Sequence, residues 1–99
     1  MSKRKLAQHT SVLQEISTGP TILLIVTPHA RDQMLERGID LLDVRATIAA
    51  GRVVGVSSDV RGEAWIVRGK PLDDGRVLAV VLTVDSLLRE VAVVTAYWP

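Results

Sequence analysis

TPHARDQMLERGIDLLDVRATIAAGRVV, residues 27–54, carries two helix starts and two helix stops in close succession. Thr27 is a good N-cap, and Pro28 suits the first helical position, where its missing N–H costs nothing. Gly38 supplies the left-handed residue that ends such a helix. The spacing therefore predicts a helix over 28–37. Asp40 then starts again, with Asp43 three residues on and Gly51 as the stop. That predicts a second helix over 41–50, whose apolar stripe is Leu41, Val44 and Ile48.

Downstream of Gly51 the period changes from helical to alternating. Residues 52–58 and 63–69 read as strands around a turn at 59–62, with Trp65 and Val67 on one face. A loop over 70–75 closes on Asp74-Gly75, a strong turn signal. Residues 77–84 are apolar on both faces, which marks a central strand. A turn at 85–88 leads to a last strand over 89–97. Upstream, TILLIVT (21–27) reads as a short buried strand. Residues 1–19 fit either a short docked helix or a disordered arm, ended by Gly19-Pro20. The expectation is an α+β domain over 20–99. Two consecutive helices precede a four-stranded antiparallel sheet, and a further strand lies before them.

Composition bounds the function. The chain has 99 residues, 12 basic and 11 acidic, and a net charge of +1. That balance alone does not indicate a nucleic-acid binder. Nine of the basic residues are Arg, the type suited to bidentate phosphate contact. With no cysteine, thiolate chemistry and disulfides are excluded. Lys3-Arg4-Lys5 begins like a signal peptide, but polar residues interrupt the apolar run that should follow. The longest apolar run, residues 22–26, is too short to span a bilayer. The expectation is a cytoplasmic protein with no membrane partner.

Few residues can carry chemistry. His29, Gln33 and Arg37 follow one another at four-residue spacing on the first helix, beside the core positions Ala30 and Met34. Near a helix N-terminus the imidazolium is disfavoured, so His29 suits a general base. Spacing alone favours instead a cap or a pair with Asp32 or Glu36. Arg37 and Arg45 sit at the rims of apolar stripes, where a guanidinium serves a salt bridge or a phosphate. Arg52, Arg61, Arg68, Lys70, Arg76 and Arg89 are scattered over strand ends and turns, as a solvated face requires. Gln33, Arg45, Arg68 and Lys70 are the candidate phosphate contacts. Thr95 and Tyr97, two apart on the last strand, project from one face. The sequence holds no metal-ligand spacing, zinc motif, phosphate loop or nucleophile elbow.

The stretch 27–54 also resembles a family of small bacterial domains of unknown function. Its signature runs T-x-H-A…R-x-x-x-R-G-I…D-V…I…G. Residues 91–97, VAVVTAY, are similar to that family's closing strand, Val-Val-Thr-x-Tyr. The family is commonly grouped with the RelE-, colicin- and barnase-like ribonuclease toxins. The resemblance implies a RelE/barnase-like fold and a metal-independent endoribonuclease without cofactor. It also implies a toxin–antitoxin pairing, so RNA and an antitoxin protein are the expected partners. Carried over, the catalytic positions are His29, Arg37, Thr95 and Tyr97. The family pattern frequently holds Arg where Gln33 stands, which weakens charge stabilisation here. The runner-up reading is an inactive RNA-binding or protein-interaction domain. It would contact a partner, or a second copy as a homodimer, through the sheet face carrying Trp65 and Val67.

Overall fold

The computed structural model describes residues 3–17, 22–60 and 62–99. Its elements run α1 (Lys3–Ser17), β1 (Leu23–Val26), α2 (Pro28–Arg37), α3 (Leu41–Ala50), β2 (Arg52–Asp59), β3 (Gly62–Arg68), β4 (Ala79–Asp85) and β5 (Glu90–Tyr97). Both central helices end where their caps place them. The Thr27 hydroxyl accepts from Ala30 N, Gly38 is left-handed at φ 64°, and the Asp40 carboxylate accepts from Leu42 N.

The five strands form one sheet in the order β1-β5-β4-β3-β2. The antiparallel meander of β2 to β5 is present, with β4 in the middle. The sheet as a whole is mixed, because β1 pairs parallel to β5. Chain direction explains this. β1 passes straight into α2, so it cannot turn back as a hairpin and instead lies along the one edge of β5 left open. It is an edge strand rather than a buried one, and Leu23 is 55% exposed.

Cross-strand partners share a face. One face carries the lines Val53–Val67–Val80–Ala96 and Val56–Trp65–Leu82–Val93–Val26. These join Leu13 and Ile16 of α1, Ala30 and Met34 of α2, and Val44 and Ile48 of α3 in a single apolar core. The Trp65/Val67 face is therefore the inward face, under the helices, and not a surface for partners. Leu41 is 40% exposed and drops out of the α3 stripe; Thr47, buried, takes its place. The Thr47 hydroxyl donates to Asp43 O at 2.8 Å, which allows a polar side chain to be buried there.

The opposite, outer face carries Arg52–Arg68–Ala79–Tyr97 and Gly55–Ile66–Val81–Thr95. Its larger apolar members, Ile66 and Val81, are only half-buried. Two bulges shape it, with Val54 the extra residue in β2 and Val94 in β5. Strict alternation along β5 would put Val91, Val93, Thr95 and Tyr97 on one side. The bulge splits them, so Val91 and Val93 face the core while Thr95 and Tyr97 face outward.

Candidate functional site

β1 pairs with β5 only as far as Val93, so the carbonyls beyond it need other partners. α2 supplies them. Past the Thr27 N bond to Val93 O at 3.1 Å, the Thr27 hydroxyl that caps α2 donates to Val94 O at 3.4 Å and the Arg37 guanidinium donates to Ala96 O at 2.8 Å. The indole of Trp98 donates back to Arg37 O at 2.9 Å. Between these anchors the Thr95 hydroxyl hydrogen-bonds the Gln33 side-chain oxygen. The helix thus runs alongside β5 with its Gln33–Arg37 flank against Thr95 and Ala96.

This docking brings four candidates onto one seam. Gln33 and Thr95 touch, Arg37 reaches the next backbone carbonyl, and Tyr97 follows Thr95 on the outer face. His29 is exposed, one helical turn before Gln33 and about 40° from it around the axis. It therefore lies on the flank of α2 that borders the outer face, roughly 12 Å along the axis from Arg37. A substrate lying along the seam would meet His29 first, then Thr95, then Arg37. Arg37 keeps donor capacity after its bond to Ala96, since a guanidinium has five N–H groups.

Arg45 is not part of this arrangement. It lines a small cavity with Ile22, Leu24 and Ile48 on the helical side of the sheet. Arg68 stands on the outer face two strands from Tyr97, on the same cross-strand line, and Lys70 is exposed just beyond it. Arg76 is engaged elsewhere. Its Nε donates to Asp74 at 2.7 Å and its guanidinium stacks 4.0 Å over Trp98. Those bonds, led by the Arg76 backbone N–H, hold the Asp74 carboxyl below its ordinary value.

Sequence reasoning passed over one residue on this face. Arg52 is the direct cross-strand partner of Arg68, a pairing visible only once the β2–β3 register is known. The strand pattern signalled both ends of that hairpin, but the bulge at Val54 hid which residues oppose each other.

Among the described residues no group of three His, Cys, Asp or Glu could hold a metal ion. A cavity of about 520 Å³ lies away from the α2–β5 seam, between α1 and β2. It is lined by Leu6, Ala7, Thr10, Arg52, Val53 and Val54. Most of that lining is apolar, and the Thr10 hydroxyl in it is already bonded to Val53 N and Leu6 O. No described helix is long and apolar enough to cross a membrane.

The family model for a domain of unknown function, DUF4258, matches residues 26–98. No curated protein and no solved structure matches the chain.

Proposed function

Since the chain belongs to the DUF4258 family, we propose that it is a metal-independent endoribonuclease of RelE/barnase-like fold, acting as the toxin of a toxin–antitoxin pair. The observation that carries the reading is the seam itself, where Gln33 meets Thr95 and Arg37 meets Ala96, with Tyr97 next along the outer face. His29, exposed one helical turn before Gln33, stands on the same flank of α2.

The chemistry needs a base to take the proton of a ribose 2′-OH, which then attacks the adjacent phosphate. His29 is the base or acid. The free N–H groups of Arg37 stabilise the charge that develops on the phosphorane. Thr95 and Tyr97 position the strand, and an acid protonates the departing 5′-oxygen. The 2′-OH nucleophile restricts the activity to RNA. An antitoxin would act by covering the outer face.

A second reading, an RNA-binding domain that does not cleave, draws on one observation. Gln33 already holds the Thr95 hydroxyl, and the cation frequent at that position in the resembling family is missing. Purified chain incubated with labelled RNA in excess chelator separates the two. Cleavage should persist in chelator, and His29→Ala should lower it by about 10²–10⁴-fold, the usual worth of a general acid or base. RNA bound but left intact would establish the second reading. Cleavage equal in His29→Ala, or abolished by chelator, would sink the catalytic assignment.

A further inference from the structure

The outer face carries an electrostatic feature that the seam does not use. Arg52 and Arg68 are direct cross-strand partners on β2 and β3, so their Cβ atoms lie roughly 4.5–5.5 Å apart on one face. Both are exposed. Like charges directly opposed in a sheet repel, and a carboxylate neighbour would ordinarily relieve them. Among the described residues neither guanidinium is ion-paired.

The same line continues across the sheet to Ala79 and Tyr97. Ala79 is 2% exposed, a small side chain between two long ones. The result is a trough with two guanidinium groups at one side and a phenol ring at the other. Tyr97 is half-buried, and Ala96 beside it accepts from Arg37.

Charge is also graded along the strands. At the far end of the outer face the paired residues are Asp85 and Glu90, both acidic. Asp85 is accounted for, since its carboxylate accepts from Leu87 N and Leu88 N at 3.1 Å and caps its turn. The arginine pair has no such local bonds, so it is the end of the face left for an anion.

We propose that Arg52 and Arg68, with Tyr97 across the trough, form a subsite for the phosphodiester backbone of single-stranded RNA. The two guanidinium groups straddle a phosphate, which removes their mutual repulsion, and the ring stacks on an adjoining base. This deepens the functional reading above and rests on it for the identity of the strand. It assigns binding to the β2–β3 side of the face and leaves bond cleavage to the α2–β5 seam.

The test uses the full chain and a 2′-O-methyl oligoribonucleotide, which lacks the 2′-OH nucleophile and reports binding alone. Wild type should bind it with an affinity that falls as salt rises. Arg52→Gln and Arg68→Gln should each weaken binding and flatten the log–log salt slope by about 0.7, the value for one single-strand phosphate contact. Arg31→Gln, the same charge change on the far flank of α2, should leave the slope as it is. Inorganic phosphate should raise the thermal midpoint of wild type more than that of either variant. Arg68→Gln should fold with an undiminished midpoint, because it relieves a repulsion. Equal slopes in all three variants, or no binding of the oligonucleotide, overturns the proposal. Phosphate stabilisation without oligonucleotide binding also overturns it, by showing a site for free phosphate only. Binding with these slopes but no cleavage of ordinary RNA would keep the subsite and defeat the ribonuclease reading.

Discussion

Single residues decide how closely the layers approach. Gly51 has an ordinary negative φ of −79°, so it is not there for its backbone conformation. Space is the reason. A Cβ on Gly51 would lie 2.4 Å from Thr47 O and 2.7 Å from Arg68 O, both backbone atoms that cannot swing away. Gly69 is similarly tight, 2.8 Å from the Thr47 hydroxyl. The two glycines let the end of α3 meet the end of β3, with Thr47 buried between them. Gly51→Ala should therefore destabilise the protein by about 1–3 kcal/mol, as overpacking does. A denaturant midpoint unchanged in that variant would show that α3 can tilt away without cost. Gly38 differs, since it sits at φ 64° with open space around it and serves conformation alone.

At the scale of elements, α1 and α2 solve the same problem at opposite edges of the sheet. α2 satisfies the carbonyls of β5 beyond Val93. α1 satisfies β2 beside its bulge, where Val53 N donates to the Thr10 hydroxyl at 2.9 Å. That hydroxyl in turn donates to Leu6 O at 3.0 Å. α1 is also tied to β3 by polar contacts. His9 sets Nε2 3.1 Å from Glu63 Oε1 and Nδ1 2.6 Å from Lys5 O. The Trp65 indole donates to the same Glu63 oxygen at 2.9 Å, and the two rings meet edge to face. Chiefly the Trp65 bond, and then His9, hold the Glu63 carboxyl below its ordinary value of 4.5. The sign follows from linkage. A folded-state value below the unfolded one contributes stability above the ordinary value, and this is lost as pH falls through the lowered one. Trp65 fluorescence should therefore report a loosening of α1 in acid, and Glu63→Gln should flatten that limb. An acid limb identical in the variant would remove Glu63 from the linkage.

For the whole molecule, the order β1-β5-β4-β3-β2 ranks the strands by how completely they are covered. β4 has a partner on both sides, and Val80 and Leu82 are fully buried. β5 has β4 on one side, with β1 and then α2 on the other. Amides of β4 and of β5 around Val91 and Val93 should exchange most slowly, at a free energy near that of global unfolding. Those of β1 and the outer side of β2 should exchange sooner. Slowest exchange in β2 would mean that the edge, not the centre, holds the sheet together. The outer face enters this ranking too. The buried apolar residues of the helices join the core on the inner face, and α2 reaches the outer face at its border, through Gln33 at Thr95, so the elements that carry the seam and the arginine pair can meet a ligand without opening the core.

The sequence by itself determined what depends on neighbours along the chain. Thr27-Pro28, Gly38 and Asp40 set the start of both central helices and the end of the first, because caps act within four residues of their own backbone. Alternation and turn residues located β2 to β5 to within a residue or two, for the same reason. Part of the candidate seam was legible as well, since 3.6-residue periodicity sets Gln33 and Arg37 along one flank of α2. Only the tertiary structure decided the rest. The parallel pairing of β1 joins residues 23–26 to 90–93, a separation over which no local pattern carries information. The face of Thr95 and Tyr97 relative to Val93 turns on a bulge at Val94, and one extra residue reverses alternation without any mark in composition. Trp65 and Val67 point inward because the helices cover their side of the sheet, a choice that an amphipathic strand leaves open. The opposition of Arg52 and Arg68 follows from register across a hairpin, and register is set by which face is buried.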